Sequence, residues 1–282
     1  MNFKTIYPAL LLLLFSLSCR KEKNNAIDNL NDGKISIYGH AGAGFVSPTN
    51  PVRENTLASI KKAIELYGAD GVEVDVQMSH DGVFYLYHDG SLNNNTNFQG
   101  RINEYSSAEL QDCKYNNSNE NLTTLEACLQ FCSSKNVKPK IWLDTYLDAW
   151  DDKSFSYTSF CNDFVIHLDS LLKKYDAQDW VDVESTDISF LDLVKSVDGG
   201  LSLFIDGPIT SYMDIAVSHG LKGIVASCTY TRKEEVESAH EKGIFIVLFD
   251  VRQRLEANDA IKLCPDAVQT DDILLMKQLL DQ

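Results

Sequence analysis

Hydrophobic positions recur along this chain with two periods in turn. Stretches with apolar residues at every second position, or nearly unbroken apolar runs, read as strands; apolar spacings of three and four read as amphipathic helices. Strands are expected at Lys34–Tyr38, around Val72–Val76, and at Lys140–Asp144, Trp180–Glu184, Leu201–Asp206, Gly223–Ser227, Ile244–Asp250 and Ala267–Thr270. Helices are expected between them, from Thr56–Tyr67 and Thr124–Ser134 through the long Phe155–Tyr175 to the closing Ile273–Leu280. Eight strands alternating with helices predict an α/β fold, a (β/α)8 TIM barrel. A doubly wound open sheet is the competing arrangement, but no GxGxxG turn or P-loop follows the first strand. No Pro-, Gly- or Ser-rich linker divides residues 34–282, so they are expected to form one domain.

Two regions escape the alternation. Val83–Tyr87 reads as a short strand, and the Asn-rich Ser91–Asn121 after it carries no periodic apolar face; together they predict a small hairpin and insertion after the second strand. The other exception is the start. Residues 1–18 hold one charge, Lys4, and an apolar run Ile6–Leu17 with five consecutive leucines. A spanning helix needs about 20 apolar residues, so this run predicts a secretory signal peptide. Ser-Leu-Ser followed by Cys19 resembles a bacterial lipoprotein processing site. That resemblance implies an acylated Cys19, attachment to the membrane through its lipid, and a place in the bacterial cell envelope, on the periplasmic or outer-membrane face. Residues 19–33 are polar and predict a flexible tether.

Charge narrows the partners. The chain carries a net −16, and loss of residues 1–18 with Lys4 takes it to −17. So acidic a surface argues against nucleic acid and against electrostatic adhesion to anionic headgroups. Six cysteines remain after Cys19 without the dense spacing of a disulfide scaffold, and Cys128 and Cys132, four apart on one helix, read as core packing.

The chemistry gathers in Gly71–Gly90. Val72, Val74 and Val76 alternate with Glu73, Asp75 and Gln77, and strand side chains alternate faces, so the two acids share one side about 7 Å apart. Neighbouring carboxylates repel unless a cation or a raised pKa relieves them. In a barrel, groups at the C-terminal strand ends face one mouth. His40 would come from the first strand, Glu73 and Asp75 from the second, His88 from the hairpin, and Asp144 from the third. Three hard oxygen ligands suit one divalent cation, Mg²⁺ or Ca²⁺, better than Zn²⁺. Asp187, Asp206, Asp250 and Asp271 also lie near strand ends and read first as helix caps or loop acids.

Gly39-His40, Glu54-Asn55-Thr56-Leu57-Ala58, the segment Gly71–Gly90 and Gln269-Thr270-Asp271 together resemble the glycerophosphodiester phosphodiesterase family, one of the barrel phosphodiesterases related to phosphatidylinositol-specific phospholipase C. The resemblance runs from about Lys34 to the C-terminus and is strongest over residues 35–92. It implies a metal-dependent phosphodiester hydrolase that releases an alcohol and a glycerol phosphate, acting on a small phosphodiester or lipid-headgroup substrate. Glu73, Asp75 and Asp144 would be the metal ligands, His40 and His88 the acid–base pair, and Glu54 a substrate- or metal-orienting acid. A substrate hydroxyl would attack phosphorus, and water would open the resulting cyclic intermediate.

Three departures from the family pattern bear on the phosphate. Ala41 replaces the arginine of the GHRG motif, Tyr146 stands where the third strand usually carries lysine, and the loop before Glu54 is longer, with Arg53 in place of proline. Two cations that would stabilise phosphoryl charge are gone. Arg53 or Arg252 could replace one. The same losses leave open an alternative, a non-catalytic or re-purposed barrel lipoprotein that binds a lipid or sugar ligand.

Overall fold

A computed structural model describes residues 27–116, 118, 120–145 and 155–282. In chain order its strands are β1 (Ser36–Gly39), β2 (Gly71–Met78), β3 (Phe84–Leu86), β4 (Thr123–Thr124), β5 (Lys140–Thr145), β6 (Val181–Ser185), β7 (Ser202–Asp206), β8 (Gly223–Ser227), β9 (Phe245–Val251) and β10 (Ala267–Thr270). Eight of them run parallel, and β1 pairs with both β2 and β10, so the sheet closes. This is the TIM barrel that the alternation predicts. The antiparallel β3 and β4 extend outward from β2 as the expected hairpin.

The alternation sorts side chains between two interiors. Val72, Val74 and Val76 turn outward and join Leu129, Phe164, Phe190 and Met276 in the layer between strands and helices. Burial of such aliphatic and aromatic groups is worth roughly 1.5–3 kcal/mol each. Inside the barrel, Tyr38, Trp142, Phe204, Val225, Val247 and Ala267 form an apolar floor. One pleat further along the strands, the inward positions turn acidic. Helix starts follow their capping residues: Thr56, Thr124, Asp187 and Asp272 each accept from backbone N–H groups of the first turn. The helix expected at Thr56–Tyr67 is an α-helix, Leu57–Lys61, that widens into a π turn over Lys62–Leu66.

The insertion after β2 is better ordered than its composition suggests. Leu92, Ile102, Leu110, Cys113, Tyr115 and Leu122 pack with Tyr85 and Tyr87 into a second small core. Their irregular spacing hides that core from any periodic template. A 3₁₀ turn, Ile102–Glu104, and a one-turn helix, Ser107–Leu110, capped reciprocally by Ser106 and Glu109, carry two of these residues.

The tether expected over residues 19–33 is fixed to the barrel in its last part. Asn29 Nδ2 donates to the Pro265 carbonyl at 2.8 Å, and Asp266 accepts from Leu30 N at 2.6 Å and, through its carbonyl, from Asn31 Nδ2 at 3.1 Å. Asparagine side chains that look like solvated linker are here paired with the loop before β10. The signal peptide expected at 1–18 and the acylated Cys19 lie outside the described residues. Among the described residues no helix is long and apolar enough to cross a membrane. The cysteines of the described residues form no disulfide, and Cys128 and Cys132 are both in the main core.

Candidate active site

The acids of β2 and β5 meet because the strands pair in register, Asp75 opposite Asp144 and Glu73 opposite Trp142. Glu73, Asp75 and Asp144 each place one carboxylate oxygen within 4.8 Å of the others. Backbone and side-chain donors hold two of them. Glu73 Oε2 accepts from Ala41 N at 2.7 Å; Asp75 Oδ2 accepts from Asn55 Nδ2 at 2.6 Å, while Asn55 Oδ1 accepts from Asp75 N at 3.1 Å. Asn55 does this from a left-handed backbone conformation, φ 55°, which asparagine tolerates. Burial raises the Glu73 pKa well above the carboxylate range, and the neighbouring Asp75, Glu184 and Asp144 raise it further. A group of buried acids with this electrostatic load takes either protons or a cation. All three donors are hard oxygens, and their spread matches a shell with metal–oxygen bonds of about 2.0–2.6 Å, so the set fits Mg²⁺ or Ca²⁺.

His40 stands beside this cluster at the end of β1. Its Nδ1 lies 2.7 Å from Asp271 Oδ1 on the opposite side, and its Nε2 faces Glu73 Oε2 at 3.9 Å. Asp271, expected to be a cap or loop acid, is therefore a partner of His40; the neighbouring Asp272 caps the last helix. Asp187 is the cap it was expected to be. Asp206 and Asp250 are not caps. Asp250 accepts from Ser227 Oγ at 2.7 Å and pairs with Arg252, and Asp206 ends β7 with its pKa pushed up to about 6 by burial and then by Asp250.

His88 leaves the hairpin on the other flank of the mouth. Gln77, the third inward residue of β2, donates through Nε2 to the carbonyls of Tyr87 and Asp89 at 2.7 and 2.9 Å and so fixes the backbone on either side of His88. The half-exposed His88 ring lies with Nδ1 3.0 Å from Asp89 Oδ1, and Asn95 Nδ2 donates to the other Asp89 oxygen. Burial opposes protonation of His88, but Asp75, Asp89 and Glu54 together outweigh it and raise the pKa. Phe45 packs against both imidazoles at steep interplanar angles, with centroids 4.9 Å from His40 and 5.8 Å from His88.

The residues around the expected phosphate position follow a different plan from the family motif. Ala41 is buried with φ 48°, and its N–H is committed to Glu73. Arg53 reaches the mouth beside His88, where Nη1 pairs with Glu54 Oε1 at 2.9 Å and the guanidinium stacks 5.0 Å from the Tyr115 ring centroid. Arg252 sits on the His40 side, bonded to Asp250 at 3.0 Å and 3.8 Å from Asp271 Oδ2. Tyr146 lies outside the described residues.

Asn55, Gln77, Glu184 and Asp271 are the residues for which the sequence suggested no role at the site. Asn55 and Asp271 stood inside quoted motifs, and Gln77 follows from the period-two alternation. Glu184 lies one residue before the end of β6, a strand whose inward face only the register reveals: it is opposite Asp144 and buried, with Gln269 Nε2 donating at 2.9 Å.

Comparisons with known proteins agree with this architecture. The glycerophosphoryl diester phosphodiesterase family model matches residues 40–275. A glycerophosphodiester phosphodiesterase of Caldanaerobacter subterraneus subsp. tengcongensis is 42% identical over 78 residues, 28% of this chain and 30% of that protein. This chain covers less than a third of the length of the curated relatives it matches. Among solved structures, a glycerophosphodiester phosphodiesterase of Agrobacterium tumefaciens superposes with a TM-score of 0.70 at 18% identity, covering 87% of this chain and 100% of that one. An Oleispira antarctica phosphodiesterase, solved with the product sn-glycerol-3-phosphate, has a TM-score of 0.74 at 19% identity over 88% of this chain and 97% of its own.

Proposed function

The chain belongs to the glycerophosphoryl diester phosphodiesterase family, and from that premise we propose that it hydrolyses a glycerophosphodiester to an alcohol and a glycerol phosphate with the help of a divalent cation. The convergence of three carboxylates and two imidazoles on one barrel mouth supports this more than any other observation. Glu73, Asp75 and Asp144 would hold the cation. When bound, it would supply Lewis acidity to a phosphoryl oxygen.

The chain's own groups account for the proton transfers. With Nδ1 engaged by Asp271, His40 has Nε2 directed at the cluster and can take a proton there from an attacking hydroxyl. His88, whose surroundings favour the protonated form, can give its proton to the departing alkoxide oxygen. The two exchange roles when water attacks in the second half of the reaction. Phe45 packs against both imidazoles and so restrains the two rings. Arg53, which lines the cleft beside His88 and pairs with Glu54, would replace the phosphate-facing cation that Ala41 lacks. The lipoprotein-like Cys19 supports a location in the bacterial envelope, held by its lipid.

Purified protein assayed against glycerophosphodiesters and intact phospholipids, for released alcohol, tests this. Hydrolysis of a glycerophosphodiester that is abolished by chelation, and restored by Mg²⁺, Mn²⁺ or Ca²⁺ better than by Zn²⁺, is the expected result. Full activity in excess chelator would remove the cation from the mechanism. Calorimetric binding of a diester with no turnover would favour the non-catalytic lipoprotein.

A further inference from the structure

The loop from β1 to the first helix lies outside any helix or strand, yet one buried side chain organises it. Asn50, 9% exposed, reaches back with Nδ2 to the carbonyls of Ala43, Gly44 and Phe45 at 2.9, 2.9 and 3.2 Å. Its Oδ1 accepts from Lys62 Nζ at 2.9 Å. A tight turn, in which Ser47 and Asn50 exchange backbone hydrogen bonds around Pro48 and Thr49, brings the amide to these carbonyls. Only a carboxamide offers donors to the carbonyls and, from the same short group, an acceptor to the lysine without adding charge. The segment it holds lies against catalytic groups. Gly44 N donates to the His40 carbonyl at 2.9 Å. Gly44, at φ 86°, also lies so close to Asp271 that a Cβ would fall 2.4 Å from the Asp271 carbonyl oxygen. The next residue is Phe45, whose ring packs on both His40 and His88.

Taking the proposed phosphodiesterase reaction as given, we propose that Asn50 is a positioning residue: it holds the Phe45 backbone so that one aromatic ring braces both imidazoles in a fixed relation. The two histidines stand on different elements, His40 at the end of β1 and His88 beyond β3, and they must exchange acid and base roles across one phosphorus. Each has a carboxylate at Nδ1, Asp271 for His40 and Asp89 for His88, but those contacts orient each ring separately. Phe45 touches both rings, and its carbonyl is one of the three that Asn50 engages. The brace matters more for His88, whose side chain is 49% exposed, than for His40 at 19%. Proton transfer requires heavy atoms about 2.6–3.2 Å apart, and a misplacement of about 1 Å can cost roughly 10²-fold in rate. A small shift of the loop is therefore enough to be felt in the chemistry. Among the described residues Asn50 bonds to no catalytic side chain, so its effect passes through the backbone it holds.

The test uses Asn50→Asp, which keeps the size of the side chain and an acceptor for Lys62 but has no donor for the three carbonyls. It should lower kcat on a glycerophosphodiester roughly 10- to 100-fold while KM changes little. Phe45→Leu should lower kcat in the same way. The double variant should be no slower than Phe45→Leu alone, because the first change acts through a ring that the second has removed. Proton NMR of the imidazoles adds a readout that needs no substrate. In wild type the Phe45 ring current displaces the His40 and His88 ring resonances, and Asn50→Asp should move both toward their positions in Phe45→Leu. Kinetic losses that multiply in the double variant overturn the assignment, and so do His40 and His88 resonances left unchanged by Asn50→Asp. Should Asn50→Asp not fold, Lys62→Met, which takes away the lysine that holds the amide, must move the same resonances in the same direction, and no movement overturns the proposal equally. Wild-type protein that cleaves no glycerophosphodiester would take down the phosphodiesterase reading itself, and the resonances would still decide whether Asn50 sets the brace.

Discussion

Asp271 Oδ1 lies 2.7 Å from His40 Nδ1, although 231 residues separate them in the chain. They meet because β1 closes the barrel against β10, with Gly39 in register with Thr270. The contact fixes which imidazole nitrogen is left to face Glu73.

Asp271→Asn is expected to lower kcat roughly 10- to 100-fold while changing KM little, because an amide no longer enforces the productive tautomer and orientation of His40. Steady-state kinetics with the diester checks it. Partial recovery in Asp271→Glu would identify the carboxylate as the operative group, and an Asp271→Asn enzyme with wild-type kcat would show that His40 needs no partner.

The raised pKa of His88 carries a pH signature. Where His88 acts as the acid, activity should persist above the ordinary imidazole pKa of about 6.5 before falling. Asp89→Asn removes a hydrogen bond and a negative charge that both favour protonation, so the alkaline limb of the kcat profile should move to lower pH. A limb that stays in place belongs to another group.

Arg53→Ala should reduce kcat by about 10²- to 10³-fold if its guanidinium meets developing phosphoryl charge, and should also lower Tm, because the pair is only 26% and 15% exposed and the change leaves Glu54 without its partner. Arg252, more than half exposed and already paired with Asp250, should tolerate alanine far better. Equal kinetic losses at the two positions would place the phosphate on the His40 side as well.

Asp206 predicts a change in stability rather than in rate. Its pKa, pushed up to about 6, means that the folded protein keeps a proton the unfolded chain has already lost above the ordinary carboxylate value of 3.8. Stability attributable to this group therefore falls as pH rises from about 4 through 6, by on the order of 2 kcal/mol. In chelator, Asp206→Asn should raise Tm by about 5 °C at pH 8 and hardly at all at pH 4. Calorimetric scans at the two pH values decide it, and a gain equal at both would mean that relief of charge is not the cause.

The proposed envelope location rests on the sequence around Cys19 alone. Mass spectrometry of the membrane fraction is expected to find an N-terminal peptide that begins at a diacylated or triacylated Cys19. A freely soluble chain with an unmodified N-terminus elsewhere would withdraw the lipid anchor.

The sequence by itself determined the barrel and the acidic strand. Period-two alternation is a covalent property of an extended chain, so Glu73 and Asp75 had to share a face once Val72, Val74 and Val76 were buried on the other. The repeating change from strand to helix spacing likewise left few folds to choose among. The barrel reading already brought His40, Glu73, Asp75, His88 and Asp144 to one mouth; which of them meet, and through which neighbours, was decided by tertiary structure, because parallel register and barrel closure join positions that no local spacing relates. Asp271 was legible as a cap or loop acid and as the end of a quoted motif, and only the register of β1 against β10 shows that it reaches His40. Glu184 became part of the site through its register opposite Asp144. The insertion was the most opaque stretch. Its few apolar residues bury one another at irregular spacings, so no periodic template could find the small core that leaves the Tyr115 hydroxyl unpaired beside His88.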